Sequence, residues 1–357
     1  MLLQTDLSDI GALRSALHDE GDSLIVTQGV GKIRIHLHTN DPERLLSLLR
    51  GFGAVLNQKV DDMFRQFQAV HRRAGSVAIV TDSIADIPPE LMDSLQIHLV
   101  PQRILWGDEI YLDRVTMTGK TFYPLLDERK EYPGSSLPDP ASIRAMFRHL
   151  AAHYRSIVAL PVSAAISGTW NAMRLEAESL RNEGYPIQVV DTRLNSIAQG
   201  LVVLETARAA AAGAGFDELV RIAERARERT KIYVGVNTFK YMVRGGRVSR
   251  LKGLVATALN LKPVITLDEA GKGAAFSKAF SQKGVIRKIL DIVSRTKAEV
   301  GIERYAVVHA AAPDRATDFA ERLEGIVGKP SEYIMEISPI VGSHAGKGAL
   351  AVAVETR

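Results

Sequence analysis

The residues best suited to chemistry lie in five short stretches. Ser135-Ser136-Leu137-Pro138 presents two adjacent hydroxyls in the turn-rich run EYPGSSLPDPAS, residues 131–142. They suit an anion, and equally the start of a helix. Ser163 to Thr169, reading SAAISGT, follows an apolar run and precedes a helical pattern. Its small residues let a ligand approach the backbone, and a helix start offers free N–H donors to a carboxylate or phosphate. Ser167 or Thr169 could also simply cap that helix. Ser167 lacks the G-x-S-x-G context of a hydrolase nucleophile. Arg244-Gly245-Gly246-Arg247, extended by Arg250 and Lys252, is a basic bend that suits an acidic partner or plain solvent. Gly342 to Gly348, GSHAGKG, resembles a phosphate loop but has the wrong spacing and lacks the following Ser or Thr. Its glycines bring His344 close to a ligand or a hydroxyl network. His36 and His38 alternate onto one strand face, where two imidazoles can share a metal ion.

These residues need a scaffold, and the sequence predicts an α/β one. The runs SVAIVT (76–81), IHLVPQ (97–102), SIVALPV (156–162), PIQVVD (186–191), KIYVGV (231–236), KPVITL (262–267), RYAVVH (304–309), SEYIMEI (331–337) and ALAVAVE (349–355) read as strands. Helical stretches at 140–153, 170–183, 196–213, 215–229, 283–298 and 313–326 separate most of them, which predicts parallel sheet layered by helices. Some 280 residues exceed one ordinary sheet, so two lobes with a cleft between them are expected. The serine and glycine stretches follow strand ends, where ligands sit in such folds.

Residues 1–70 form a smaller α/β segment. SLIVTQG (23–29) and KIRIHLH (32–38) read as a hairpin, with Ile33, Ile35 and Leu37 on one face. Asp41-Pro42 starts a helix with Leu45, Leu46, Leu48 and Leu49 on its apolar side, and Ser8 or Asp9 caps an earlier one. A further amphipathic stretch spans 60–70, and residues 71–75 read as a linker.

Composition narrows the function. Of 357 residues, 45 are Lys or Arg and 41 Asp or Glu, too small an excess to suggest nucleic-acid binding. With no cysteine, disulfide and thiolate chemistry are excluded, and a metal site must use His and carboxylates. No run reaches the roughly 18–20 apolar residues of a membrane helix. The stretch MLLQTDLSDIGAL lacks the basic-then-apolar pattern of a secretory leader, so a cytoplasmic location is expected.

From Val77 onward the chain resembles the DegV family of bacterial fatty-acid-binding proteins. The likeness rests on VAIVTDSIADIP (77–88), PGSSLP (133–138), VSAAISGTWNA (162–172), VVDTRLNSIAQG (189–200), FKYMVRGGRVS (239–249), NLKPVITLDEAG (260–271) and SHAGKGALAVAV (343–354), in family order. It implies two α/β lobes enclosing a long-chain fatty acid at 76–357, with no required cofactor. The carboxylate would be held by Ser135, Ser136, Ser167, Gly168 and Thr169, with His344 contacting the headgroup or orienting the hydroxyls. Leu137 replaces the family's amide, and Lys347 stands where proline is usual. Arg247 falls where a kinase would dock. GDSLIVTQGVGKIRIHLHTNDPERLL (21–46) and VDDMFRQ (60–66) are similar to the middle region of the bacterial fatty acid kinase. There an HxH pair and an upstream cysteine bind zinc; His36 and His38 match, the cysteine does not. The resemblance implies a fatty-acid carrier rather than an enzyme. It would serve a kinase ATP-binding domain acting in trans or from a longer fusion, yielding acyl phosphate. Two other classes fit the residues alone: a phosphoryl-transfer enzyme using a His, and a metal-stabilised interaction module.

Overall fold

A computed structural model describes residues 1–5, 10–246 and 262–357. They divide into two compact units: residues 1–63 with 103–136, and residues 64–102 with 137–357.

The first unit holds two antiparallel sheets. In one, Asp22–Gly29 pairs with Lys32–His38, which pairs with Leu2–Gln4, which pairs with Ala54–Asn57. The hairpin closes through Val30-Gly31, with Gly31 at φ +64°, a conformation that favours glycine. Alternation along Lys32–His38 buries Ile33 and Ile35 and exposes Arg34 and His36, as its period-2 pattern predicts. Ile33, Ile35 and Leu3 form the core with Leu13 and Leu17 of the helix Gly11–Leu17 and Leu45, Leu46 and Leu49 of the helix Pro42–Leu49. Asp41 caps that second helix, accepting from Arg44 N at 2.9 Å, and Pro42 opens its first turn. The caps expected at Ser8 or Asp9 lie outside the described residues.

The other sheet comes from residues 103–136. Arg103–Trp106 lies between Glu109–Leu112 and Gly134–Ser136, beside the helix Gly119–Glu128. These residues are bound tightly to the 1–63 segment. Glu43 accepts from both the amide and the hydroxyl of Thr118, at 2.7 and 2.8 Å. Arg50 stacks 3.9 Å over the Tyr111 ring and pairs with Glu109 at 2.9 Å. Gln58 donates to the carbonyl of Ile110.

The second unit carries both lobes. The first is a four-stranded parallel sheet in the order Ile187–Val189, Ser156–Ala159, Val77–Asp82, His98–Val100. Val77–Asp82 is buried end to end, as a central parallel strand must be. Its core includes Ile143, Phe147 and Leu150 of the helix Pro140–Ala151 and Met173 and Ala177 of the helix Thr169–Asn182.

The second lobe is six-stranded: Gly273–Ala279, Lys262–Leu267, Thr230–Gly235, Leu350–Thr356, Ile302–His309, Ile334–Glu336. Only the last pair is parallel. The expected parallel sheet therefore holds for the first lobe and fails for the second. There the C-terminal strand inserts antiparallel between two strands distant in sequence. The helix Ser196–Ala211 is buried on nearly every side and packs on strands of both lobes, as an all-round apolar helix should. Among the described residues, no helix is long and apolar enough to cross a membrane.

Candidate anion-binding turn

Three loops converge where the parallel strands end. Asp82 closes the central strand, and its carboxylate is wholly buried. One oxygen accepts from Ile84 N at 3.0 Å and Gln199 Nε2 at 3.2 Å; the other accepts from Val162 N at 2.8 Å. Burial pushes its pKa up to about 6, although these donors and the Gln102 side chain favour the charged form.

The second loop is built around Ser163. Its carbonyl receives the amides of Ile166 and Ser167, and its own amide donates to Leu194 O at 2.9 Å. Its hydroxyl donates to Gly271 O at 3.0 Å. Gly271 sits at φ +76° in the turn between Lys262–Leu267 and Gly273–Ala279, and a Cβ there would overlap the Ser163 hydroxyl. Glycine is required by that approach as well as by the turn.

The loop leads to Ser167-Gly168-Thr169, which opens the helix Thr169–Asn182. The two hydroxyls lie 2.9 Å apart, and Thr169 N points at Ser167 Oγ from 3.3 Å. Thr169 is buried and accepts from Gln102 Nε2 at 3.0 Å; the Gln102 backbone N–H donates to Ser83 Oγ at 3.1 Å. Leu137 covers Gly168, with its Cδ1 3.2 Å from where a Cβ would stand. In the third loop Asp191 Oδ1 accepts from Ala164 N and Arg193 N at 3.1 and 2.9 Å. The arrangement is a half-buried hydroxyl at the mouth of a parallel sheet, backed by a buried amide and carboxylate.

The DegV family matches residues 76–357, well over half of the chain. The chain belongs to that family. Residues 1–70 match the FakA-like middle domain of fatty acid kinase. A DegV domain-containing protein of Clostridium acetobutylicum is 30% identical over 279 residues, which is 78% of this chain and 98% of that one. One from Streptomyces coelicolor is 32% identical over 283 residues, 79% of this chain and 99% of its own. Among solved structures, DegV of Bacillus subtilis, a fatty acid binding protein, superposes with TM-score 0.72 at 25% identity, covering 79% of this chain and all of that one. A DegV family protein of Thermus thermophilus, solved for its fatty acid binding, gives TM-score 0.71 at 26% identity, with 79% and 100% covered.

Set on this DegV scaffold, the expected residues fall into separate places. Ser167, Gly168 and Thr169 share one turn. Ser135 and Ser136 lie on Gly134–Ser136 in the other compact unit, opposite Ile104 and Arg103. His344 belongs to the helix Pro339–Ala345 of the second lobe, against Gly245, where a Cβ would overlap its ring. Gly346, at φ +78°, admits the Tyr241 ring in the same way. Arg247, Arg250 and Lys252 lie outside the described residues. Gln102 was not foreseen as part of this site; the available signal was a polar residue ending the buried run IHLVPQ.

The kinase middle domain implies zinc, and the structure tests the fit. The His36 and His38 Nε2 atoms stand 3.2 Å apart. Two nitrogens about 2.1 Å from a tetrahedral zinc would be separated by about 3.4 Å. Asp22 Oδ1 lies 3.1 Å from His38 Nδ1, the usual orienting partner of a ligating imidazole. Yet no group of three or more His, Asp or Glu side chains converges for a metal among the described residues. Two nitrogens are half of a tetrahedral set, so the described residues do not by themselves fit a zinc ion.

Asp82 yields a pH prediction. Its folded pKa of about 6 exceeds the reference value of 3.8, so the folded state binds this proton more readily. Its contribution to stability is complete below about pH 4 and lost as pH rises through 6. A shift of about two units corresponds to about 3 kcal/mol. Asp82→Asn should flatten that portion of the stability profile in denaturant melts between pH 4.5 and 7. An unchanged slope would contradict the assignment.

Proposed function

We propose that this chain binds a long-chain fatty acid, holds its carboxylate at the Ser167–Thr169 turn and presents it to a kinase ATP-binding domain, acting in trans or from a longer fusion, for conversion to acyl phosphate. The observation that carries the reading is the hydroxyl pair at the end of the parallel sheet, in a chain of the DegV family. The fatty acid binding of the Bacillus and Thermus proteins supports the ligand class. Burying about 15 methylenes at ~0.8 kcal/mol each gives about 12 kcal/mol before ordering costs. The carboxylate needs hydrogen bonds to enter such an environment, and a hydroxyl donor to a charged group is worth about 1.5–3 kcal/mol. Ser135, Ser136 and His344 are the other proposed headgroup contacts, and Arg247 the proposed kinase contact.

Hydroxyl donors suit a carboxylate that must react. They steady the anion without the tight pairing of an Arg or Lys, so one oxygen keeps its nucleophilicity. That oxygen would attack the terminal phosphorus of ATP held by the kinase; the new O–P bond forms as the bond to the ADP oxygen breaks, and ADP leaves. The match of residues 1–70 to a kinase middle domain supports this partnership. Organic extraction and mass spectrometry of purified protein should release about one fatty acid per lipid site. Protein that neither carries nor takes up a fatty acid would end the proposal.

A further inference from the structure

Four polar groups form a line inside the first lobe: Asp82, Gln102, Thr169 and Ser167. Asp82, Gln102 and Thr169 are at most 4% exposed, whereas Ser167 is half-buried at the outer end. The direction of each hydrogen bond follows from chemistry. Asp82 as a carboxylate only accepts, and the Gln102 side chain favours that charged form, so the amide turns its N–H side inward. Gln102 Nε2 then also donates to Thr169 Oγ1 at 3.0 Å. Thr169 is left with its own hydrogen to give, and Ser167 Oγ stands 2.9 Å away. Ser167 Oγ also faces the amide of Thr169 at 3.3 Å. With two donors aimed at its two lone pairs, Ser167 can only donate, and it donates away from the chain of bonds.

We infer that Gln102 is a positioning residue that sets the direction of this relay, so that Ser167 offers a dedicated hydrogen-bond donor and the site selects an acid over an alcohol headgroup. The inference rests on the fatty-acid reading above and adds to it the residue that determines headgroup selectivity. A hydroxyl free to rotate would serve either headgroup; one locked as a donor favours the charged acceptor.

The test compares a long-chain fatty acid with the fatty alcohol of equal length, titrated into the full chain. In Gln102→Glu a carboxylate oxygen replaces the amide nitrogen. That carboxyl lies against Asp82, so the buried pair shares one proton between them. The Glu oxygen toward Thr169 then only accepts, Thr169 donates inward, Ser167 donates to Thr169, and the outward donor is lost. Affinity for the acid should fall about 10- to 100-fold, with the alcohol held within about threefold. Gln102→Met removes the donor without adding charge. It should reduce the acid-to-alcohol ratio by about 3- to 10-fold, and it decides the matter should Gln102→Glu fail to fold. A wild-type protein that prefers the acid while the folded Gln102 variants keep its ratio, or lose both ligands equally, overturns this inference alone. A wild-type protein that binds neither ligand overturns the fatty-acid reading together with it.

Discussion

Ser167→Asp should abolish fatty-acid binding while leaving the fold intact. The new carboxylate would stand where the ligand's own is held. Two like charges about 4 Å apart at an effective dielectric near 20 repel by about 4 kcal/mol, close to a 1000-fold loss of affinity. The turn itself tolerates the change. Ser167 stands one residue before Gly168, the N-cap of the helix Thr169–Asn182, and its Oγ faces Thr169 N from 3.3 Å, a local i to i+2 contact that an aspartate oxygen also accepts. Calorimetric titration with a long-chain acid, beside a thermal melt, separates the two effects. Near-wild-type affinity in a folded Ser167→Asp protein would remove this turn from the headgroup site.

Asp86→Ala should be the most destabilising of the substitutions considered. Asp86 is wholly buried and ties three parts of the larger unit together. Its carboxylate accepts from Ser196 Oγ at 2.5 Å, at the start of the central helix, and from Ser338 N at 2.8 Å in the second lobe. Its carbonyl accepts from Tyr333 Oη at 2.8 Å. Ser196 holds φ +51°, which costs energy for a residue other than glycine and needs such an anchor. Alanine would strand the Ser338 amide and the Ser196 hydroxyl, each costing about 1–3 kcal/mol when buried unpaired. A loss of about 4 kcal/mol lowers the melting temperature by roughly 10 °C. Asp86→Asn, which retains one acceptor, should fall between. Scanning calorimetry showing Asp86→Ala melting with wild type would contradict the role.

Much of the larger unit was readable because buried strands announce themselves as unbroken apolar runs. Val77–Asp82, Ser156–Ala159 and Leu350–Thr356 are of that kind. Strand direction was not readable, since periodicity reports which face is buried and not which way the chain runs. The helix Gly119–Glu128 was missed because Pro124 lies inside it. Gly273–Ala279 was missed because GAAFSKA, an edge strand with little buried surface, has weak β-propensity. The hairpin Arg103–Trp106 to Glu109–Leu112 could have been found from Gly107-Asp108 between its apolar runs; Gly107 sits at φ +61°. At the site, Ser167 to Thr169 stood out by following a strand. Gln102 did not, because its role depends on Asp82 and Thr169, which only the fold brings to it.

The seam suggested by the two family matches, near residues 70–76, is not where this molecule would part cleanly. Residues 103–136 fall in the DegV stretch of the sequence, yet they pack as one body with residues 1–63. A gene trimmed to begin at Ser76 would strip Glu43 from Thr118, Arg50 from Tyr111 and Glu109, and Gln58 from Ile110. Those groups would meet solvent on a surface shaped for neighbours. Consecutive along the sequence, the two matched stretches are interleaved in space, because residues 103–136 of the second are built into the same body as the first.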